Sequence, residues 1–144
     1  MKVKIINHSN NPLPHYATTG SAGMDLRAHL TDAVILQPLE RCVIPTGLSI
    51  ELPQGYEAQV RPRSGLALKK GLSIPNAPGT IDSDYRGKIG VIVINLSNVA
   101  VTIEPAERIA QLVIAKHETI EWQPVEELSD STRGTGGYGS TGLT

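Results

Sequence analysis

The chain has 144 residues and a mass of 15.4 kDa, enough for one domain with a sizeable core. Its net charge of −1 argues against a general nucleic-acid or membrane binder, for which an excess of basic residues is expected. Phenylalanine is absent and aromatic residues make up 3%, so the core must be built from Val, Ile, Leu and Ala, which suits thin β-layers. Fourteen glycines and ten prolines divide the chain into short segments, which favours an all-β sandwich or barrel.

Short apolar runs bounded by Gly, Pro, Asn or Asp predict eight β-strands. In chain order these are residues 3–6, 33–36, 42–44, 48–52, 57–61, 91–96, 99–103 and 109–114. None is followed by a convincing amphipathic helix, so folds that alternate strands with helices are excluded. One short helix is predicted over residues 64–70, with Ser64 as its N-cap and Gly71 as its end.

Cysteine and histidine usage limits the chemistry available. Cys42 is the one cysteine, so no intramolecular disulfide can form, and its apolar surroundings predict a buried side chain. His8, His15, His29 and His117 stand apart, so a zinc site is not expected, while a hard cation held by carboxylate, water and phosphate stays open. No run approaches membrane-spanning length, and we expect a reducing, cytoplasmic setting.

The segment RPRSG brings Arg61, Arg63, Ser64 and Gly65 together at the start of the predicted helix. Guanidinium groups and helix-terminal amides can form a phosphate cradle. A capped turn with its arginines in solvent explains the segment equally well. Ser64 has no evident histidine partner, so we interpret it as a phosphate donor and not as a nucleophile.

A second cluster of polar residues includes Asp82. Its sequence resembles the tip of a β-hairpin, where aspartate side chains commonly accept hydrogen bonds from nearby backbone amides. That interpretation accounts for one aspartate. It explains less well why Asp82, Asp84, Tyr85 and Arg86 crowd together beside Asn76. This set offers a base, an aromatic surface and a group that can form hydrogen bonds with the edge of an amide.

Asp25 lies between apolar residues and therefore needs a partner. Arg27, two residues along on the same face of a strand, would give a structural ion pair. Contact with a metal-bound water is the alternative. Arg108 and Gln111 pose the same choice between a structural and a functional role.

The apolar content falls near Ser129, which divides the chain into a β domain, residues 1–128, and a glycine-rich C-terminal arm, residues 129–144. The arm carries Arg133 and Tyr138 among its glycines, and such a flexible segment is expected to order only over a ligand. A terminal tail without a function is the plain alternative.

Taken in order, these segments resemble the five motifs of the trimeric deoxyuridine triphosphatases (dUTPases). The matching stretches are AGMDLRA at 22–28, RPRSGLA at 61–67, NAPGTIDSDYRG at 76–87, ERIAQLVI at 107–114 and RGTGGYGSTG at 133–142. The resemblance implies a jelly-roll-like β-barrel or sandwich of the β-clip type. It also implies a homotrimer whose active sites are shared between subunits.

The reaction that the resemblance implies is hydrolysis of dUTP to dUMP and pyrophosphate, which keeps uracil out of DNA and supplies dUMP for thymidylate synthesis. Asp82 would activate the water that attacks the α-phosphate in line. Mg²⁺ would bind the phosphates, with Asp25 holding it through water. The remaining phosphate contacts would come from Arg63, Ser64, Gly65 and Gln111.

The resemblance also implies how the nucleoside is recognised. Asn76 and the backbone around Thr80, Ile81 and Gly90 would read uracil, and Tyr85 would pack against deoxyribose and leave no room for a 2′-hydroxyl. The arm would close over the nucleotide, with Arg133 meeting the γ-phosphate and Tyr138 stacking on uracil. Relatives commonly carry Phe at this stacking position, and Tyr keeps the π-face.

Two other functions fit parts of the pattern. A dCTP deaminase shares this fold but lacks the glycine-rich fifth motif and uses a glutamate to move protons on cytosine. A non-enzymatic nucleotide-binding trimer would keep the scaffold, although every implied catalytic position is filled here. The motif around Asp82 and the arm favour the phosphatase.

Overall fold

The computed structural model describes residues 1–137, and over that range the chain is all-β with one short helix, as predicted. The elements in chain order are β1 Lys4–Asn7, β2 Gly23–Arg27, β3 Val34–Leu36, β4 Arg41–Pro45, β5 Leu48–Glu51, β6 Tyr56–Arg61, α1 Ser64–Lys70, β7 Leu72–Ser73, β8 Gly79–Ile81, β9 Gly90–Asn95, β10 Val101–Ile103 and β11 Arg108–Lys116.

The strands pair antiparallel, and many neighbours are distant in sequence, as a jelly-roll-like fold requires. The largest sheet has the order β2-β11-β6-β8, and a second sheet has the order β4-β9-β7. Two further pairs, β1 with β5 and β3 with β10, complete the pairing of the described strands. The long strand β11 lies between β2 and β6, so it joins three segments of the chain that carry predicted site residues.

The core is aliphatic, as the absence of phenylalanine predicts. Its largest fully buried apolar side chains are Leu26, Leu36, Ile44, Val91, Val93 and Ile103. Along β9 every second residue points inward, the alternation expected of a strand with one face on the core. Each large side chain removed from such a core costs about 2–5 kcal/mol of stability, so these strands form a rigid support for the loops between them.

All eight predicted strands are present, with ends that differ by up to two residues. The predicted strand over residues 99–103 begins at Val101 because Asn95, which is fully buried, holds the preceding turn. Its side chain accepts from the backbone N–H of Ser97 at 2.9 Å and donates to the carbonyl of Val99 at 2.8 Å. Strands β2, β7 and β8 were not predicted as separate strands, because they are short or carry glycine and charged residues that weaken the apolar pattern.

The interpretation of the segment around Asp82 as a hairpin tip is wrong. Strand β8 pairs with β6, whereas β9 pairs with β4 and β7, so residues 82–89 connect two different sheets. Turn-forming residues indicate that the chain reverses, but they do not specify which strands pair on either side. We call residues 82–89 the connecting loop.

Two smaller predictions are also corrected. The N-cap of α1 is Arg63 and not Ser64, and no side chain caps the helix; Gly71 ends it in the left-handed conformation, φ 66°, as predicted. Cys42 is only partly buried, although it packs against the core. Desolvation, together with the charge of Glu40, raises the pKa of its thiol, which keeps it protonated and unreactive.

After β11 the described chain, residues 117–137, has neither helix nor strand, and the division of the chain near Ser129 remains a prediction. Four large apolar side chains of this stretch are exposed: Ile120, Trp122, Val125 and Leu128. Among the described residues, no helix is long and apolar enough to cross a membrane.

Candidate active site

Asp25 lies at the centre of a group of charged side chains on the largest sheet. Its two carboxylate oxygens accept from different guanidinium groups: Oδ1 from Nε of Arg63 at 2.8 Å, and Oδ2 from Nη1 of Arg108 at 3.1 Å. We call Asp25, Arg63 and Arg108 the arginine cluster. Asp25 and Arg63 are about one-third exposed or less, and Arg108 is about half exposed, so the cluster is open to a ligand.

Strand register explains how this cluster forms. Gln111 of β11 lies opposite Asp25 of β2 and opposite Arg61 of β6, so the three strands bring their polar ends together. The pairing with β2 shifts between Arg108 and Ala110, a β-bulge that adds one residue to β11. Strict alternation would place Arg108 and Gln111 on opposite faces, and the bulge turns Arg108 towards Asp25.

The expected ion pair between Asp25 and Arg27 is wrong. Arg27 instead donates through Nη1 to the carbonyl of Ala106 at 2.9 Å, and Asp25 takes its partners from other strands. The sequence prediction considered only neighbours on one strand. The true partners are 38 and 83 residues away along the chain.

The start of α1 lies beside the arginine cluster. Arg63 is its N-cap, and Ser64 and Gly65 form the first turn, where the backbone N–H groups have no partner inside a helix. Gln111 donates through Nε2 to the carbonyl of Pro62 at 3.0 Å, which fixes its amide next to this turn. Guanidinium groups, free amides and a hydroxyl therefore meet on one surface, an arrangement suited to an anion.

A separate cavity of about 190 Å³ opens beside the connecting loop. Its lining residues come from β8, from the loop and from the start of β9, and we call it the loop cavity: Thr80, Ile81, Asp82, Tyr85, Ile89 and Gly90. Asp82 and Tyr85 are exposed at its edge, and the backbone N–H of Tyr85 donates to the carbonyl of Asp82 at 3.2 Å. Five of the predicted site residues thus meet in one place, and Ile89 is an addition that the sequence analysis missed.

Of the other predicted residues, Asn76 and Arg133 belong to neither group. Asn76 precedes β8, is exposed and does not line the loop cavity. Arg133 is exposed, and its Nε donates to the carbonyl of Gly136 at 2.9 Å, within the arm itself. Tyr138 lies outside the described residues, so its predicted stacking role remains a prediction.

The arginine cluster and the loop cavity lie far apart in one chain. Ile81 pairs with Ala58 of β6, so the next residue, Asp82, lies near Glu57 at the start of that strand. Strand β6 ends at Arg61, and Arg63 lies beyond this other end. The four steps along the strand from Glu57 to Arg61 span about 13 Å at about 3.3 Å per residue. The structure does not bring Asp82 to the arginine cluster of its own chain.

The fold and these two surfaces define an all-β protein with a cluster of charged side chains suited to an anion and a separate cavity. Comparison with known proteins specifies the family: a model described as dUTPase matches residues 9–142. The chain belongs to the dUTPase family, a family of hydrolases in nucleotide metabolism.

Individual relatives agree over nearly the whole chain. The deoxyuridine 5'-triphosphate nucleotidohydrolase of Cytophaga hutchinsonii is 61% identical over 140 residues, which cover 97% of this chain and 91% of the relative. The enzyme of the same name from Finegoldia magna is 56% identical over 142 residues, 99% of both chains.

Solved structures show the same fold. A mutant dUTPase of Staphylococcus bacteriophage 80alpha with dUpNHpp matches with a TM-score of 0.89 at 29% identity and covers 99% of each chain. A mutant dUTPase of S. aureus phage phi11, described with a structural Mg(II) ion, matches with a TM-score of 0.81 at 25% identity, over 90% of this chain and 100% of the other.

Proposed function

We propose that this chain hydrolyses dUTP to dUMP and pyrophosphate, with Asp82 as the base that activates the attacking water. The observation that carries the proposal is the position of Asp82 at the edge of the loop cavity, in a chain whose dUTPase match runs over residues 9–142. Asp82 accepts a proton from water as the oxygen attacks the α-phosphate in line. The bond to the pyrophosphate oxygen breaks on the opposite side.

The nucleoside is the occupant that we assign to the loop cavity. The backbone of Thr80, Ile81 and Gly90 offers donors and acceptors along the edge of a flat base, and Asn76 adds an amide. The ring of Tyr85 packs against the deoxyribose. A pocket of about 190 Å³ whose lining includes two isoleucines, a tyrosine and polar groups suits a small base and its sugar.

The triphosphate is the ligand that we assign to the arginine cluster and the start of α1. Arg63 presents a guanidinium fork, Ser64 a hydroxyl, Gly65 a free amide and Gln111 a side-chain amide. Charge-assisted hydrogen bonds of this kind are about twice as strong as neutral ones, and several of them fix the phosphates for in-line attack. We expect Arg108 to contribute through Asp25, which it contacts at 3.1 Å.

Magnesium fits this cluster if it arrives with the phosphates. No group of three or more His, Cys, Asp or Glu side chains capable of holding a metal occurs in the described part of the chain, so a cage made by the protein is not formed there. Asp25 has lone pairs beyond the two that accept from arginine, and these can accept hydrogen bonds from metal-bound water. Bound Mg²⁺ would neutralise charge on the leaving pyrophosphate.

The separation of the two surfaces supports a homotrimer with sites shared between subunits. One nucleotide needs the arginine cluster and the loop cavity together, and a neighbouring subunit can supply the missing half. The exposed apolar residues after β11, which include Trp122 and Leu128, favour burial against another copy. The arm would then close the site, with Arg133 on the γ-phosphate and Tyr138 on uracil.

We also propose a cytoplasmic location, which a single partly buried cysteine, Cys42, favours over an oxidising compartment. Two alternatives are left to experiment. A dCTP deaminase would act on cytosine, and a regulatory trimer would bind dUTP without turning it over.

The experiment is to incubate the purified chain with Mg²⁺ and each of dUTP, dCTP, dTTP and UTP separately, and to resolve the products by chromatography. We expect dUMP and pyrophosphate from dUTP and little turnover of the other three. Formation of dUTP or dUMP from dCTP would instead identify a deaminase. Binding of dUTP without turnover would identify the regulatory trimer.

A further inference from the structure

Gly87 lies against the hydroxyl end of the aromatic ring of Tyr85. A Cβ atom placed on Gly87 would lie 2.5 Å from Cζ and 2.9 Å from Cε2 of Tyr85, and closer still to the hydroxyl oxygen. All three separations are well inside van der Waals contact. The space that a side chain would occupy at position 87 is therefore filled by the tyrosine ring.

The need for glycine at this position is steric and not conformational. The glycines with positive φ in the described chain are Gly47, Gly55, Gly71 and Gly134, and Gly87 is not one of them. Its φ therefore does not carry the left-handed strain that disfavours alanine. The ring of Tyr85 is thus the part of the structure that an added methyl group would meet.

The loop backbone around the ring is tied down at several points. The hydroxyl of Tyr85 donates to the carbonyl of Lys88 at 3.1 Å, and its N–H donates to the carbonyl of Asp82 at 3.2 Å. The guanidinium of Arg86 donates to the carbonyls of Ser83 at 2.7 Å and Tyr85 at 3.0 Å. Because several hydrogen bonds hold the backbone and one, from its hydroxyl, holds the ring, a methyl group against the ring would displace the ring first.

The same arrangement occurs beneath two other predicted substrate-binding side chains. A Cβ on Gly23 would lie 3.3 Å from Cδ of Gln111, and closer to its Oε1. A Cβ on Gly79 would lie 3.0 Å from Nδ2 of Asn76. A glycine therefore makes room for each of three polar or aromatic side chains that we assign to the substrate.

We propose that Gly87 is a positioning residue for Tyr85 and thereby sets the selectivity for deoxyribose over ribose. The inference rests on the proposed function, in which the Tyr85 ring packs against the sugar. Without a side chain at 87, the ring lies against the loop backbone at the edge of the loop cavity, where it can exclude a 2′-hydroxyl. A methyl group there would move the ring by on the order of 1 Å, enough to spoil this contact.

The test compares kcat/KM for dUTP and for UTP in the wild type and in Gly87→Ala. We expect the ratio of the two to fall at least about tenfold in the variant, through a higher KM for dUTP and with kcat changed less. Gly20→Ala is the matched control, because a Cβ on Gly20 meets nothing within 4 Å and its φ is not positive. An unchanged ratio in Gly87→Ala would overturn the inference.

A double variant separates positioning from a general structural role. In a Tyr85→Ala background the ring is gone, so adding Gly87→Ala should change the dUTP-to-UTP ratio less than about twofold. If Gly87→Ala lowers thermal stability, the double variant should regain the stability of Tyr85→Ala alone. Equal effects of Gly87→Ala with and without the ring would contradict the proposal.

Calorimetric binding of dUMP and UMP gives the same comparison without turnover. Wild-type chain that binds dUMP selectively but hydrolyses nothing would disprove the proposed reaction and still test Gly87. In that case, loss of the dUMP preference in Gly87→Ala would support the inference, and retention of the preference would overturn it. Wild-type chain without any preference for dUMP over UMP would overturn it as well.

Discussion

The arginine cluster and the loop cavity differ in what holds their side chains in place. Asp25 and Arg108 lie on strands of the largest sheet, Arg63 lies just beyond a third, and ion pairs between them lock the geometry. The cluster is therefore as rigid as the sheet. A site of this kind suits the charged, chemically uniform part of a ligand, where strength of binding counts most.

In the loop cavity, by contrast, Asp82 and Tyr85 lie on the connecting loop. The hydroxyl of Tyr85 donates to the carbonyl of Lys88, and the backbone carbonyl of Asp82 accepts from the N–H of Tyr85. The lack of a side chain at Gly87 leaves room for the Tyr85 ring. Such contacts define shape more than charge. The comparison indicates that changes at the cluster should weaken binding, whereas changes at the loop should alter chemistry and selectivity.

The largest effect is expected from Asp82→Asn, which keeps the size of the side chain but removes the base. We expect kcat to fall by about 10²–10⁴-fold while KM for dUTP stays within a few-fold, because the amide cannot accept the proton from water. Steady-state kinetics with dUTP and Mg²⁺ measure both parameters. Asp84→Asn, two residues along the same loop and outside the cavity lining, is the matched control; equal losses in both variants would remove Asp82 from its role.

Deletion of residues 133–144 should have the next largest effect, since the arm is proposed to close over both halves of the site. We expect kcat/KM to fall on the order of 10²-fold, because an open site admits water and holds the phosphates loosely. Thermal unfolding should be unchanged, since the core residues all precede the arm. A truncated chain that failed to fold would show that the arm is structural.

At the arginine cluster, Asp25→Asn should act mainly on binding. Asp25→Asn removes one acceptor oxygen and the negative charge that attracts metal-bound water, so we expect the Mg²⁺ concentration needed for half-maximal activity to rise about 10- to 100-fold. The ion pairs are partly exposed, so stability should change by about 1 kcal/mol or less. Titration of Mg²⁺ into chelator-treated protein measures the requirement, with the exposed Asp32→Asn as control; a lower kcat at saturating Mg²⁺ alone would contradict the role.

Sequence reasoning predicted the two surfaces to different extents, for physical reasons. The aliphatic strands follow from alternation, which is a local property, and β9 is an example. The arginine cluster depends on the pairing of β11 with β2 and β6 and on the bulge after Arg108, which no local pattern shows. The residues of the cluster were therefore identified singly, but Asp25 was paired with the wrong arginine.

The loop cavity shows the opposite case. Asp82, Tyr85 and Asn76 were grouped by their closeness in sequence, and the structure keeps the first two together at the cavity, whereas Asn76 lies before β8 with its amide beside Gly79 and is not a lining residue. The role of Gly87 could not be predicted at all, since it depends on where a neighbouring ring lies in space. Residues that are close in sequence remain neighbours in a loop, whereas a sheet brings together residues that are far apart in sequence.

The smallest effect concerns the support behind the connecting loop. Glu51 of β5 accepts a hydrogen bond from Nζ of Lys4 at 2.8 Å, and Arg86 of the loop lies 3.9 Å away. The hydrogen bond from Lys4 holds the pKa of Glu51 below its ordinary value, and the charges of Lys4 and Arg86 lower it further.

Because the pKa of Glu51 is lower in the folded chain, its charge stabilises the fold at every pH above the unfolded pKa of about 4.3. This stabilisation disappears as the pH falls through the pKa of Glu51 in the folded chain. Glu51→Gln should therefore be slightly less stable than wild type in thermal unfolding at pH 7, and the two should converge once the pH falls below the lowered pKa of Glu51. A difference that persisted at low pH would mean that Glu51 supports the loop by packing and not by charge.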